Sequence, residues 1–176
     1  MSEVAHLILG IDPGLALLGY GVVGFTAGKL QHVAHGCIRT LHGEAETWRL
    51  RQLYDALVKL RASYPITDVA MESLFYSRNV STAISVGQAR GVALVATVDD
   101  TVAFREYTPT EVKQVVAGFG GARKRQMQET IGLLLDLSSL PAPDDAADAL
   151  AIAICHSRHL ELDRLIAAAS QTPQLR

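Results

Sequence analysis

Four acidic residues of this chain stand where a soluble protein seldom places a charge. Asp12 ends the apolar run Leu7-Ile8-Leu9-Gly10-Ile11, and Glu72 ends Asp68-Val69-Ala70-Met71. Asp145 and Asp148 lead into Ala149-Leu150-Ala151-Ile152-Ala153-Ile154. Carboxylates at the edge of a core are costly unless something positive neutralises them. A hard divalent cation held by oxygen ligands does so, and such a site can carry out phosphate chemistry. Asp145 and Asp148 are three residues apart, which puts both on one helix face. If the first and fourth strands are sheet neighbours, Asp12 and Glu72 converge as well. Four carboxylates can then hold two divalent cations about 3.5–4 Å apart. The sequence has no His/Cys cluster with zinc spacing, so the oxygen set favours Mg²⁺ or Mn²⁺. Nor does it carry a nucleophile-elbow motif for Ser/His/Asp hydrolysis. Plainer roles exist for some of these acids. Asp12-Pro13-Gly14 is a good turn, and Asp144 and Asp145 suit a helix N-terminus, where Asp144 serves as a cap. Asp148 has no such account, because it faces a helical run that must enter the core.

The elements that would position these acids are legible from periodicity. Residues 7–11, 19–25 and 30–40 read as strands, the last two joined by the hairpin-like Thr26-Ala27-Gly28-Lys29. A helix follows over 44–63, with Leu50, Leu53, Tyr54, Leu57 and Leu60 inward and Arg49, Arg51, Asp55, Lys59 and Arg61 facing elsewhere. Residues 67–72 and 102–107 form strands four and five, separated by a helix over 80–97. In that helix Ala83, Gly87 and Gly91 recur every four residues, a bare stripe suited to packing on the sheet or to a dimer contact. Short helices over 110–116 and 124–135 flank the Gly118-Phe119-Gly120-Gly121 break, and a final helix spans 144–158. Three hairpin-linked strands followed by two reached through helices predict a five-stranded mixed sheet flanked by helices, an α/β fold. One domain is expected over 1–158, with a mobile tail over 159–176.

Bulk properties agree with one globular domain. The chain has 176 residues, 49% of them apolar and 19% charged. No apolar run reaches the length of a membrane span, and the short run at 7–11 lacks the basic flank of a signal peptide, so a cytoplasmic protein is expected. Cys37 and Cys155 lie in apolar stretches and read as small buried hydrophobes in a reducing compartment. Net charge is −2, yet it is unevenly spread. From Arg105 to Arg125 five basic residues stand against Glu106 and Glu111, whereas Asp136 to Asp148 holds four acids and no base. A basic face beside an acidic pocket suits a protein that grips a polyanion and holds metal at one point on it.

Several strings then carry a family resemblance. Gly10-Ile11-Asp12-Pro13-Gly14 with Gly19-Tyr20-Gly21-Val22, Met71-Glu72-Ser73-Leu74-Phe75, and Gly87-Gln88-Ala89-Arg90-Gly91-Val92-Ala93 resemble RuvC, the bacterial Holliday-junction resolvases. Val112-Lys113-Gln114 and Asp145-Ala146-Ala147-Asp148-Ala149-Leu150-Ala151 complete the set in family order, over about residues 7–156. The resemblance implies a ribonuclease-H-like fold and a homodimer with one metal-dependent site per subunit, holding two Mg²⁺ or Mn²⁺ ions. It implies an endonuclease that resolves four-way DNA junctions by paired symmetric nicks in recombination and repair, working with a RuvA–RuvB branch-migration complex. Asp12, Glu72, Asp145 and Asp148 match the family's catalytic acids, although some members carry histidine at the position of Asp145. Phe75 matches an aromatic inserted at the junction centre, Arg78 a nearby basic contact, and Lys113 and Lys124 residues that touch the DNA backbone.

Two other classes compete. A Gly-Ile-Asp-x-Gly turn also resembles the phosphate loop of actin-like ATPases and sugar kinases, but those need a second phosphate turn and an adenosine site. A non-enzymatic junction-binding protein would be signalled by loss of a metal-site acid, and all four acids are present.

Overall fold

A computed structural model describes residues 5–73 and 80–170. Its five strands are β1 (His6–Asp12), β2 (Leu17–Thr26), β3 (Lys29–Arg39), β4 (Asp68–Glu72) and β5 (Ala103–Tyr107). They form one mixed sheet in the order β3-β2-β1-β4-β5. β1, β2 and β3 make an antiparallel meander, and β4 and β5 run parallel to β1. The β2–β3 turn places both Ala27 and Gly28 at positive φ, 53° and 76°. This is the two-residue hairpin geometry whose twist matches the strands it joins.

Helices cover both faces. α1 (Glu46–Ser63) and α2 (Val80–Thr97) pack on one side, over Leu9, Ile11, Val22 and Met71. α3 (Pro109–Ala117), α4 (Lys124–Leu134) and α5 (Asp144–Ser170) lie on the other, over Ile8, Val23 and Ala70. α5 lies unusually close to the strands because Gly10 and Gly19 have no side chain there. A Cβ on Gly10 would come within 2.1 Å of the Ala149 carbonyl oxygen. From Ala146 to Ser157 every α5 residue except Asp148 is buried.

Two expectations change, and one of two open alternatives is removed. The last helix does not end at Arg158: α5 continues to Ser170, so residues 159–170 of the expected mobile tail are helical, and 171–176 lie outside the described residues. Residues 159–170 are good helix formers with no breaker, Glu161 and Arg164 pair at 2.8 Å, and Arg105 reaches Asp163 at 3.2 Å. Arg49 does not face away from the core. It is buried, one turn before Leu53 on the stripe that meets the sheet. Gly87 and Gly91 do not pack on the sheet either, since a Cβ on each would meet nothing within 4 Å.

A buried polar cluster ties α5 to β4 and β5. Asp68 accepts from Thr67 Oγ1 at 2.6 Å and contacts His6 Nδ1 at 2.8 Å and His156 Nε2 at 3.2 Å. The other ring nitrogen of His156 meets the Tyr107 hydroxyl at 2.8 Å. A His156 tautomer that donates from Nε2 to Asp68 and accepts at Nδ1 from Tyr107 satisfies all three groups. Burial raises the Asp68 pKa, but the hydrogen bonds from His156, Thr67 and His6 outweigh it and hold the group at about 2.

Candidate active site

β1 and β4 pair in parallel, with Ile11 opposite Met71, so the residues that follow them, Asp12 and Glu72, emerge side by side at one end of the sheet. Gly19, opposite Asp12 on β2, lies against the Asp145 backbone, where a Cβ would stand 2.0 Å from the carbonyl oxygen. The first turn of α5 is thereby set over the end of β1. Strands one and four are sheet neighbours, as the convergence of Asp12 and Glu72 requires.

Glu72 and Asp148 line one cleft of about 270 Å³ with Lys113 and Lys124, over an apolar wall that includes Val112, Met127 and Ile152. Local signals place the two lysines. Thr108 and Glu111 form a capping box that starts α3 directly after β5, with Pro109 in its first turn. Lys113 follows one turn later. Lys124 opens α4 and reaches the acids, with Nζ 3.0 Å from Asp144 and 4.0 Å from Asp148. The resemblance implies a DNA-backbone role for Lys124 but gives no sign of these acidic neighbours, which lie about 20 residues further along the chain. Phe75 and Arg78 lie outside the described residues.

The acids act on one another. Burial, then the charges of Glu72, Asp148 and Asp145, push Asp12 up to about 7, with Lys124 pulling the other way. Glu72 is raised by burial and by Asp148, and Lys113 partly offsets this. Asp148 is raised by burial; Lys124 opposes the shift, and Asp145 and Asp144 add to it. Cys37 also belongs to this neighbourhood. It pairs with Gly19, and burial followed by the Asp145 charge raises its thiol.

Asp12, Glu72 and Asp148 are each raised partly by a neighbouring carboxylate, a charge environment that a bound cation would relieve. The donors are all oxygen, which fits Mg²⁺ or Mn²⁺. Among the described residues no three His, Cys, Asp or Glu side chains are already gathered tightly enough to grip one ion.

The chain is also similar in sequence and fold to known proteins. The family described as Crossover junction endodeoxyribonuclease RuvC matches residues 8–156. The protein of that name from Rubrobacter xylanophilus is 50% identical over 156 residues, 89% of this chain and 87% of the relative. That from Chloroflexus aggregans is 52% identical over 149 residues, 85% of this chain and 91% of the relative. Among solved structures, Thermus thermophilus RuvC in complex with a Holliday junction substrate superposes with a TM-score of 0.84 at 32% identity. That match covers 90% of this chain and 96% of the other. The five-stranded mixed sheet with its helices is therefore the ribonuclease-H-like nuclease fold.

Proposed function

Because the chain belongs to the RuvC family of crossover junction endodeoxyribonucleases, we propose that it resolves four-way DNA junctions by paired, symmetric nicks at a two-metal carboxylate site. It is a metal-dependent nuclease of the hydrolase class, and four-way junction DNA is its substrate. The observation that carries the reading is the convergence of Asp12, Glu72, Asp145 and Asp148 at one sheet end, beside two lysines.

In this reading the four acids hold two Mg²⁺ or Mn²⁺ ions. When bound, such a pair supplies acidity to an attacking water and offsets charge on the departing 3′ oxygen. Lys113 and Lys124 hold positive charge at the cleft and draw the phosphate backbone toward the acids. Val112, Met127 and Ile152 limit water on one side, which strengthens each charge interaction in the cleft. The resemblance gives Phe75 and Arg78 a role at the junction centre, where an aromatic ring can stack on an unpaired base. In-line attack then leaves a 5′ phosphate and a 3′ hydroxyl.

Two strands of like polarity must be cut, which a two-fold homodimer does with one site per subunit. The stripe of Ala83, Gly87 and Gly91 on α2, with open space beside both glycines, is our proposed contact between copies. The resemblance further suggests coupling to a RuvA–RuvB branch-migration complex, inside the cell, in recombination and repair. Among the described residues no helix is long and apolar enough to cross a membrane.

The testing experiment uses a synthetic four-way junction, each strand end-labelled in turn, with Mg²⁺ or Mn²⁺. Two nicks at symmetric positions, with products that ligase can reseal, are expected. Binding without cutting, or cutting of linear duplex at an equal rate, would overturn the reading.

A further inference from the structure

Arg49 occupies a leucine's place. It lies one turn before Leu53 and two before Leu57 on α1, both completely buried, and is itself only 9% exposed. It also stands in the first turns of a helix that begins at Glu46, where the macrodipole disfavours a cation. Among the described residues its side chain makes one hydrogen bond, from Nε to Thr40 Oγ1 at 2.9 Å, and no ion pair. Among the described residues, neither terminal nitrogen is one of the buried atoms that lack a partner, which are Gln88 Oε1 and Arg90 Nε. The stem is therefore enclosed while the unpaired end of the guanidinium opens on solvent. An enclosed charge without a counter-ion is expensive, and a protein seldom retains one without a use for it.

Its position suggests the use. Thr40 is buried, donates its hydroxyl to the Leu15 carbonyl at 2.6 Å, and donates its amide to the Ala16 carbonyl at 3.1 Å. Leu15 is three residues past Asp12, so Arg49 is held against the loop that leaves the catalytic strand. α1 packs on the face of the sheet opposite α3, α4 and α5. Lys113 and Lys124 therefore hold positive charge on one side of the acids, and Arg49 holds it on the other.

We propose that the guanidinium of Arg49 takes up a backbone phosphate of the bound junction strand, on the far side of the scissile phosphate from Lys113 and Lys124. This rests on the junction-cutting function proposed above. Thr40 fixes the planar group at Nε and leaves its outer edge free, the geometry that matches two phosphate oxygens. A lysine there would supply charge without that two-point fit.

The test is junction binding by fluorescence anisotropy in EDTA, where no strand is cut, over a range of salt. Arg49→Met keeps the apolar stem and is expected to bind about tenfold more weakly, as the loss of one charge-assisted contact implies. The slope of log affinity against log salt should become shallower by about 0.9. Arg49→Lys should recover the slope and only part of the affinity. Junctions carrying one neutral methylphosphonate at successive positions near the cut then locate the contact. One position should weaken the wild type and have no further effect on Arg49→Met. A lower melting temperature with unchanged affinity and slope in both variants would make Arg49 a structural strut and overturn the proposal. So would losses from Arg49→Met that add to those of every methylphosphonate position. Protection of the wild type by inorganic phosphate, with a flat methylphosphonate pattern, would mark a free-anion site and also overturn it. Equal binding of junction and linear duplex, with the slope change present on both, would instead sink the junction reading and leave the phosphate contact standing.

Discussion

Replacing Gly19 by alanine should damage cutting far more than folding or DNA binding. Gly19 pairs with Asp12, and a Cβ there would stand 2.0 Å from the Asp145 carbonyl oxygen and 2.4 Å from its carbon. Ordinary contact begins near 3.4 Å. Both opposing atoms are backbone, so no rotamer relieves the clash, and the first turn of α5 must withdraw by about 1.4 Å or β2 must bow by as much. Asp145 and Asp148 ride on that turn and retreat from Asp12 and Glu72. Misplacing reacting groups by about 1 Å costs on the order of 10²-fold in rate. Overpacking of this kind destabilises by roughly 1–3 kcal/mol. Single-turnover cleavage of a synthetic four-way junction should therefore fall about 10²-fold in Gly19→Ala, with a higher metal concentration needed for half-maximal rate. Junction affinity in EDTA should hold, because Lys113 and Lys124 sit on α3 and α4 and not on α5. A folded Gly19→Ala protein that cuts within about threefold of wild type would refute the argument that α5 backbone contact sets the carboxylate geometry.

Three further predictions follow from charge and exposure. Asp12 is raised to about 7, so its ionised form is disfavoured in the fold, and the metal-free protein loses stability as pH climbs from about 4 to about 7. Asp12→Asn should then raise the metal-free melting temperature at pH 8 while abolishing cutting; a lower melting temperature there would contradict the assigned repulsion. Asp68 has the opposite sign. Held at about 2, it contributes stability that is present above its unfolded value near 3.8 and lost as pH falls through about 2. That contribution is about 2 kcal/mol. Urea titrations should show Asp68→Asn less stable at pH 7 and flatter between pH 4 and 2, and an unchanged acid branch would refute this. Gly91 faces open space, so Gly91→Leu should leave the monomer fold intact but shift sedimentation toward monomer; an unchanged dimer would remove the α2 stripe as the contact between copies.

Much of the fold was legible because its signals are local. Apolar runs ended by Asp12 and Glu72 gave the two central strands, and the strands read at 7–11 and 67–72 are observed as β1 and β4. The Asp145–Asp148 spacing gave one face of a helix, and α5 presents both acids at its start. What was missed depended on contacts remote in sequence. Arg49 reads as a solvated charge in a hydropathy pattern, and only its spacing of four and eight from Leu53 and Leu57 marks it as inward; Thr40 then satisfies Nε. Lys124 acquires Asp144 and Asp148 as neighbours only once α4 packs on α5. The extent of α5 was underestimated because residues 159–170 carry no motif, although Leu160 packs on the core and Asp163 reaches Arg105. The direction of the glycine stripe could not be read at all, since a bare helix face fits equally against a sheet or a second copy.

The central claim, that Asp12, Glu72, Asp145 and Asp148 together hold the metal that cuts the junction, is tested most directly by measuring Mn²⁺ binding and junction cleavage on the same samples. Wild type is compared with Asp12→Asn, Glu72→Gln, Asp145→Asn and Asp148→Asn, with bound Mn²⁺ counted by electron paramagnetic resonance in the presence of junction. Each substitution should lower Mn²⁺ occupancy and reduce cutting by about 10²-fold or more, while junction affinity in EDTA is kept. Any one of the four that keeps both wild-type Mn²⁺ occupancy and wild-type cutting would contradict the account.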